Sequence, residues 1–153
     1  MLMKFEEYSK YEIVKIDWQK VSKNELKLLD MKFDFFLLVK TGKLLYIGKS
    51  FKQHVKNEIN NTINRGDLNI NDKGLTKYVG KINLEKSTCN KRSRFLVNNS
   101  ECLLIVTNNP SENDLCTDNY TGRDYLMVKS SGCDYLIRKC VRVAKMKPYK
   151  TCI

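Results

Sequence analysis

The chain has 153 residues, a length typical of one domain, and its 42% of apolar residues is enough to build a packed core. The 28 Lys and Arg outnumber the 17 Asp and Glu, and the net charge of +11 favours a polyanionic partner such as DNA, RNA or an acidic lipid surface. No run of about 18 apolar residues and no apolar leader occurs, so we expect a cytoplasmic protein without a membrane span.

The cysteine pattern gives no sign of a zinc site. Six cysteines occur without a CxxC pair, and His54 is the only histidine, so the usual ligand spacing for zinc is missing. Together with the expected cytoplasmic location, this pattern predicts reduced thiols with a structural role.

The first third of the chain predicts a strand, a short helix and a hairpin. Residues 11–18 alternate loosely between polar and apolar, which favours a strand or a strand-like lead-in. Ser22 and Glu25 have the spacing of a capping box in front of a leucine-rich segment, which predicts a short helix. The apolar runs 35–39 and 44–47 flank a Lys-Thr-Gly-Lys turn and predict a hairpin of two largely buried strands.

The middle of the chain changes to helical spacing. An apolar residue recurs at every fourth position from 51 to 63, which predicts an amphipathic helix that ends near Arg65. Residues 78–84 predict a third strand. Residues 95–106 predict a buried helix, which Pro110 would end.

The last part of the chain is less clear in its pattern. Residues 124–128 predict a strand and residues 130–132 a turn, while residues 135–143 fit helix or strand, with the apolar spacing slightly in favour of helix. The order hairpin, helix, strand, helix indicates an α+β fold in which helices pack against a small sheet.

Three segments of this chain resemble the signature of the GIY-YIG nucleases. Residues 46–50 (Tyr-Ile-Gly-Lys-Ser), which end the hairpin and precede the helix, resemble the second half of that signature, and the first half falls on residues 34–36. Residues 101–105 (Glu-Cys-Leu-Leu-Ile), with Pro110 and Asn113 after them, resemble the third element, a helix that carries a metal-binding glutamate. A segment at 120–124 is similar to one found in some members, restriction-type enzymes among them.

The resemblance covers about residues 34–130 and implies a particular fold. It implies a small three-stranded sheet flanked by helices, with extensions at residues 1–33 and 131–153 around this core. We therefore expect a single GIY-YIG-like domain over residues 1–153.

The resemblance also implies an activity, the metal-dependent hydrolysis of phosphodiester bonds in DNA. Glu101 would hold Mg²⁺ or Mn²⁺, since hard cations prefer carboxylate oxygen. Tyr46 would help to activate water, which needs a nearby proton acceptor. The family's arginine usually lies about ten residues after the tyrosine, a position occupied by Lys56, which would stabilise the negative charge that gathers on the phosphate.

Two departures from the family pattern support an alternative. Phe36 replaces the first tyrosine and has no hydroxyl, and Lys56 has no planar fork to bind two phosphate oxygens at once. The chain could therefore be a catalytically impaired protein that has kept the fold and binds nucleic acid. A third hypothesis is a basic interaction protein that binds RNA or an acidic protein, with the signature coincidental.

The remaining candidate residues have both a functional and a structural interpretation. His54 is either a catalytic base or phosphate contact, or the partner of Glu58 on a helix surface. Asn113 is either a contact in the catalytic site or the cap of a turn. In the structural interpretation, Lys56 is a lysine that flanks the apolar side of the helix. Tyr46 is then a buried tyrosine of the strand. Phosphate-binding residues are expected at five positions: Gly48, Lys49, Lys91, Arg92 and Arg94.

Overall fold

The computed structural model describes residues 9–65, 70–117, 119–133, 135–144 and 149–151. Its strands are β1 (Glu12–Lys20), β2 (Phe35–Lys40), β3 (Lys43–Lys49), β4 (Leu75–Ile82), β5 (Leu126–Ser131), β6 (Cys140–Val143) and β7 (Tyr149–Thr151). Its α-helices are α1 (Val55–Ile63) and α2 (Arg94–Asn108), and two 3₁₀ segments span Lys23–Asp30 and Leu84–Lys86. In this part of the chain all seven strands belong to one mixed sheet, in the order β3-β2-β4-β1-β5-β6-β7.

Both faces of the sheet are covered around β2, which explains the continuous apolar run in its sequence. Phe35 and Leu37 belong to a core cluster that includes the apolar face of α2. Phe36 and Leu38 point to the opposite side and pack in a second cluster with Val55 and other residues of α1. The side chains alternate because successive residues of a strand face opposite sides of the sheet.

The predicted order of hairpin, helix, strand and helix is confirmed. β2 and β3 pair antiparallel, with Phe36 opposite Gly48 and Leu38 opposite Tyr46. Thr41 and Gly42 make the turn, both with positive φ. α1, β4 and α2 then follow in chain order. α1 is shorter than predicted. It begins at Val55, so Phe51, the first residue of the predicted apolar stripe, lies outside the helix.

The expected small three-stranded sheet is wrong. β1 lies in the middle of the sheet, where it pairs antiparallel with β4 and parallel with β5. Val14, Ile16 and Trp18 alternate along β1 and are all buried, which gives this strand the apolar contacts of a central strand. The segments expected to be extensions, 1–33 and 131–153, therefore contribute strands to the same sheet as the hairpin.

Two of the predicted helices are also corrected. Residues 140–143 of the segment predicted to favour helix form β6, whose Val141 and Val143 are buried on alternate positions. A strand of four residues is too short to separate a period of 2 from one of 3.6. The short helix after Ser22 is a 3₁₀ segment without a buried residue, and the Ser22 hydroxyl bonds the Glu25 carboxylate instead of capping the backbone.

The prediction of reduced thiols is wrong for three of the described cysteines, Cys102, Cys116 and Cys140, which are disulfide-bonded. Cys102 in α2 and Cys116 in the following loop form a disulfide, with their Cα atoms 5.3 Å apart. The fold brings them together through the chain reversal after Pro110, which no spacing rule for cysteines detects. Cys89 and Cys133 are buried thiols, as expected.

We expect removal of the Cys102–Cys116 disulfide to destabilise the protein. The two cysteines are 14 residues apart, and closing a loop of that size restricts the unfolded chain by about 3 kcal/mol. Urea unfolding of the Cys102→Ala, Cys116→Ala variant should show a lower free energy of unfolding than wild type by roughly that amount. An unchanged free energy would mean that the disulfide does not form in solution.

α2, with 15 residues, is the longest helix among the described residues. No helix in the described part of the chain combines the length and the apolar character that crossing a membrane requires.

Candidate functional site

The outer edge of β3 is closed by a side chain. β3 is at one end of the strand order, so one row of its backbone groups has no strand partner. Asn113 supplies a partner: its side-chain oxygen accepts from the Ile47 N–H at 3.0 Å, and its amide donates to the Ile47 carbonyl at 2.9 Å. The Glu112 N–H also donates to the Leu45 carbonyl at 2.8 Å. Asn113 thus holds β3 in place next to Tyr46.

Gly48 is needed for packing of the rings behind it. The ring of Phe36 stacks on that of Tyr46, with centroids 5.9 Å apart and an interplanar angle of 22°. A Cβ atom on Gly48 would lie only 2.2 Å from Cζ of Phe36. The absence of a side chain at Gly48 therefore makes room for the ring of Phe36. The close approach of the Gly48 backbone to a phosphate stays a prediction.

One face of α2 carries polar residues toward Lys49. Arg94, Asn98 and Glu101 are spaced four and three residues apart, so they lie along one side of the helix. The Lys49 ammonium donates to the side-chain oxygen of Asn98 at 2.7 Å and lies 3.9 Å from Oε1 of Glu101. The backbone N–H of Lys49 also lowers the pKa of the Glu101 carboxyl. Arg94 lines a cleft with Lys49 and Asn98.

Burial dominates the chemistry of Glu101. Removal from water raises the pKa of Glu101 from 4.5 to about 7, although Lys49 and Arg65 act in the opposite direction. The side chain is 16% exposed, so one edge of the carboxyl group reaches solvent. An oxygen ligand poised near neutrality can bind a proton or, once ionised, a hard cation.

This raised pKa predicts how stability depends on pH. Below pH 4.5 Glu101 is protonated in both folded and unfolded chains, whereas between 4.5 and about 7 only the folded chain keeps the proton. The stabilising contribution is therefore lost as the pH rises through this window, by up to about 3 kcal/mol. Unfolding in EDTA from pH 4 to 8 should show a decline in wild type that is smaller in Glu101→Gln. Parallel curves would contradict it.

Arg65 is the residue that the sequence reasoning missed. It lies just beyond the C-terminal end of α1, and its Nη1 donates to the Tyr46 hydroxyl at 3.4 Å. Burial raises the pKa of Tyr46, while the nearby Arg65 lowers it and Glu101 raises it. Tyr46, Arg65 and Glu101 thus influence one another electrostatically. One signal in the sequence could have identified Arg65, because it is the first arginine of the chain. The family's spacing of about ten residues after the tyrosine pointed to Lys56 instead.

Lys56 and His54 lie at the other end of α1. Lys56 is exposed in the first turn, about 10 Å along the helix axis from Ile63. The ring of His54, directly before the helix, hydrogen-bonds the main-chain oxygen of Asp30 in place of Glu58. In the described chain, neither side chain has a hydrogen bond or ion pair with Tyr46 or with the residues around Glu101.

The structure divides the three other predicted phosphate contacts between two clefts. Arg94 lies in the cleft with Lys49, whereas Lys91 and Arg92 line a second one. Arg92 is tied to the buried Asp34, with Nε 3.7 Å from Oδ1. We call Tyr46, Lys49, Arg65, Asn98 and Glu101 the candidate site.

The candidate site contains one carboxylate, Glu101, and a second, Glu58, lines the cleft beside Lys49 and Asn98. No group of three or more His, Cys, Asp or Glu side chains is close enough to hold a metal among the residues that the structure describes. Glu101 alone suits Mg²⁺, which commonly keeps several waters and takes one or two carboxylates together with substrate phosphate oxygens. The donor set therefore fits a cation held jointly by the protein and the substrate.

Comparisons with protein-family models, with curated proteins and with solved structures find no match for this chain.

Proposed function

We propose that the protein is a metal-dependent DNA endonuclease of the GIY-YIG type, which hydrolyses phosphodiester bonds with Mg²⁺ or Mn²⁺. The observation that carries this proposal is the grouping of a tyrosine hydroxyl, an arginine and a desolvated carboxyl. Arg65 donates a hydrogen bond to the Tyr46 hydroxyl and lowers the pKa of both Tyr46 and Glu101, while Glu101 raises the pKa of Tyr46. These groups come from β3, the end of α1 and the middle of α2.

Hydrolysis adds water across the phosphodiester. The water oxygen bonds to phosphorus, one P–O ester bond breaks, and a proton ends on the alcohol that leaves. A bound divalent cation would supply Lewis acidity toward a phosphoryl oxygen. Glu101 would hold it as a carboxylate, while Arg65 and Lys49 would meet the negative charge that develops on the phosphate.

Tyr46 would orient the attacking water. Its raised pKa, caused by burial, keeps the hydroxyl protonated at neutral pH and makes a phenolate base unfavourable. A neutral hydroxyl still accepts and donates hydrogen bonds, so it can position water beside the phosphate. Arg65 opposes the raised pKa and fixes the hydroxyl from the other side.

The experiment that tests this proposal is a nicking assay on supercoiled plasmid. Purified protein is incubated with plasmid in Mg²⁺, in Mn²⁺ and in EDTA, beside a gel shift of the same DNA. Nicking that requires either cation supports the nuclease. Salt-sensitive binding without nicking under any cation rejects the nuclease and selects the alternative.

That alternative is a catalytically impaired protein that binds nucleic acid, and Phe36 is the observation that favours it. The ring of Phe36 is 1% exposed and stacks on Tyr46. Phe36 thus occupies the place of the first tyrosine in the signature but has no hydroxyl to bind water or transfer a proton. A single hydroxyl at the site leaves fewer hydrogen bonds to orient the water.

We also propose a cytoplasmic location, because a nucleic-acid substrate is reached there. The Cys102–Cys116 disulfide weighs against it, since cytosolic thiols are usually kept reduced. Alkylation of the intact protein before and after reduction, read by mass spectrometry, gives the state of these two cysteines.

A further inference from the structure

A second concave surface lies beside the candidate site and is strongly basic. Its volume is about 440 Å³. The lining comes from the segments before β2 and after β3, from β4, and from the loop before α2. We call it the basic cleft, and its charged residues are Lys32, Lys52, Lys81, Lys91, Arg92 and Asp34.

The one carboxylate in the basic cleft is already engaged. Asp34 is 4% exposed, and its Oδ2 accepts from the Ile82 N–H at 2.8 Å, while Oδ1 faces Arg92. Burial raises the pKa of Asp34, while the Ile82 backbone, Arg92 and Lys81 act in the opposite direction. Asp34 therefore anchors Arg92, and a single carboxylate against four lysines and an arginine leaves the basic cleft with a net positive charge.

The four lysines of the basic cleft lack close ion-pair partners in the part of the chain that the structure describes. The Lys52 ammonium lies over the ring of Phe51, 5.3 Å from its centroid. Several ammonium groups that repel one another on a concave surface create a strong positive potential, which suits a polyanion.

The basic cleft adjoins a cleft that contains two residues of the candidate site, Lys49 and Asn98. Phe51 lines both the basic cleft and the neighbouring cleft that contains Lys49, Arg94 and Asn98. A strand that follows the basic cleft would therefore reach Lys49, whose ammonium lies 3.9 Å from Oε1 of Glu101.

We propose that the basic cleft binds the phosphodiester backbone of nucleic acid and guides it to the candidate site. The direction of this guidance rests on the proposed function, whereas binding in the cleft does not. Charged side chains dominate the lining, and ammonium groups contact phosphates without reading bases, so we expect binding independent of sequence. The surface is concave, and its Phe33 and Phe51 are partly buried, which is unsuited to a flat lipid headgroup layer.

The test compares two variants that lose the same charge. One carries Lys52→Gln, Lys81→Gln and Lys91→Gln in the basic cleft. The control carries Lys27→Gln, Lys43→Gln and Lys73→Gln, which are exposed positions outside both clefts. Arg92 is kept, because its removal would leave Asp34 buried without its partner. Circular dichroism confirms that both variants keep the wild-type fold.

Binding is measured in EDTA by fluorescence anisotropy of a labelled DNA duplex, over a series of salt concentrations. We expect the cleft variant to bind at least about tenfold more weakly, and its slope of log K against log salt to fall by roughly two to three, while the control changes little. An equal loss in both variants would show only the effect of net charge and would overturn the proposal. Stronger dependence on these lysines for anionic vesicles than for DNA would overturn it as well.

The two proposals can fail separately. Since no metal is present, the binding result does not depend on cleavage. A cleft-specific loss of binding with no nicking by wild type would keep the basic cleft and remove the nuclease. If the wild type nicks DNA and the two variants bind equally, the nuclease proposal is kept and the basic-cleft proposal is removed.

Discussion

Glu101→Gln is expected to reduce cation-dependent nicking by at least about 10²-fold, while DNA binding in EDTA stays close to wild type. Glutamine has nearly the same size and keeps an oxygen that can face Lys49, which lies 3.9 Å from Oε1 of Glu101. Glutamine has no charge to hold a divalent cation, so we expect cleavage to be lost while the DNA-binding surface stays intact. Nicking rates with Mg²⁺ and Mn²⁺, beside anisotropy in EDTA, measure the two effects.

The matched control for this variant is Glu85→Gln. Glu85 is an exposed carboxylate in the second 3₁₀ segment, away from Lys49, so its loss changes the net charge equally. We expect wild-type nicking from it. Glu101→Gln should also be folded at neutral pH, because it removes a carboxyl group that burial disfavours as an anion. Full activity in a folded Glu101→Gln variant would contradict the assignment of Glu101.

Arg65→Ala is expected to lower the nicking rate by roughly 10²-fold, whereas Lys56→Ala should change it by less than about threefold. Arg65 donates to the Tyr46 hydroxyl and lowers the pKa of both Tyr46 and Glu101, so it lies where charge would develop on the phosphate. Lys56 is exposed at the opposite end of α1. The measurement is the initial rate of plasmid nicking at saturating cation.

This pair of variants has its own internal control, since each removes one positive charge near one end of α1. A general loss of attraction to DNA would affect both equally and would appear in EDTA binding. Arg65→Lys should retain part of the rate, because an ammonium keeps the charge without the fork. A larger loss from Lys56→Ala than from Arg65→Ala would restore Lys56 as the catalytic cation.

The sequence predicted the elements whose pattern is strong. β2 is buried on both faces and therefore continuous in apolar residues, and α2 is long enough for its apolar content to identify it. The hairpin, α1 and β4 also follow from local pattern, within a few residues at their ends. Tyr46 and Glu101 were identified by resemblance, and the structure brings both to the edge of β3.

The missed features all depend on contacts between distant residues. Arg65 approaches Tyr46 only because α1 ends where it does, and a fixed spacing from Tyr46 cannot express this. The pairing of Asn113 with the backbone of Ile47 depends on the path of the loop after Pro110. β1 has an ordinary alternating sequence, and nothing local shows that it lies at the centre of the sheet.

The central position of β1 has a consequence for how the chain folds. During synthesis β1 emerges before both of the strands that it pairs with. Ile16 can pair with Ile82, and Glu12 with Leu126, only after those later residues have been made. Pairings between residues so far apart close large loops, which makes folding slow compared with proteins rich in local contacts. A fragment limited to residues 34–130 would lack the strand that joins the hairpin half of the sheet to its far half, so it should not fold as an autonomous unit.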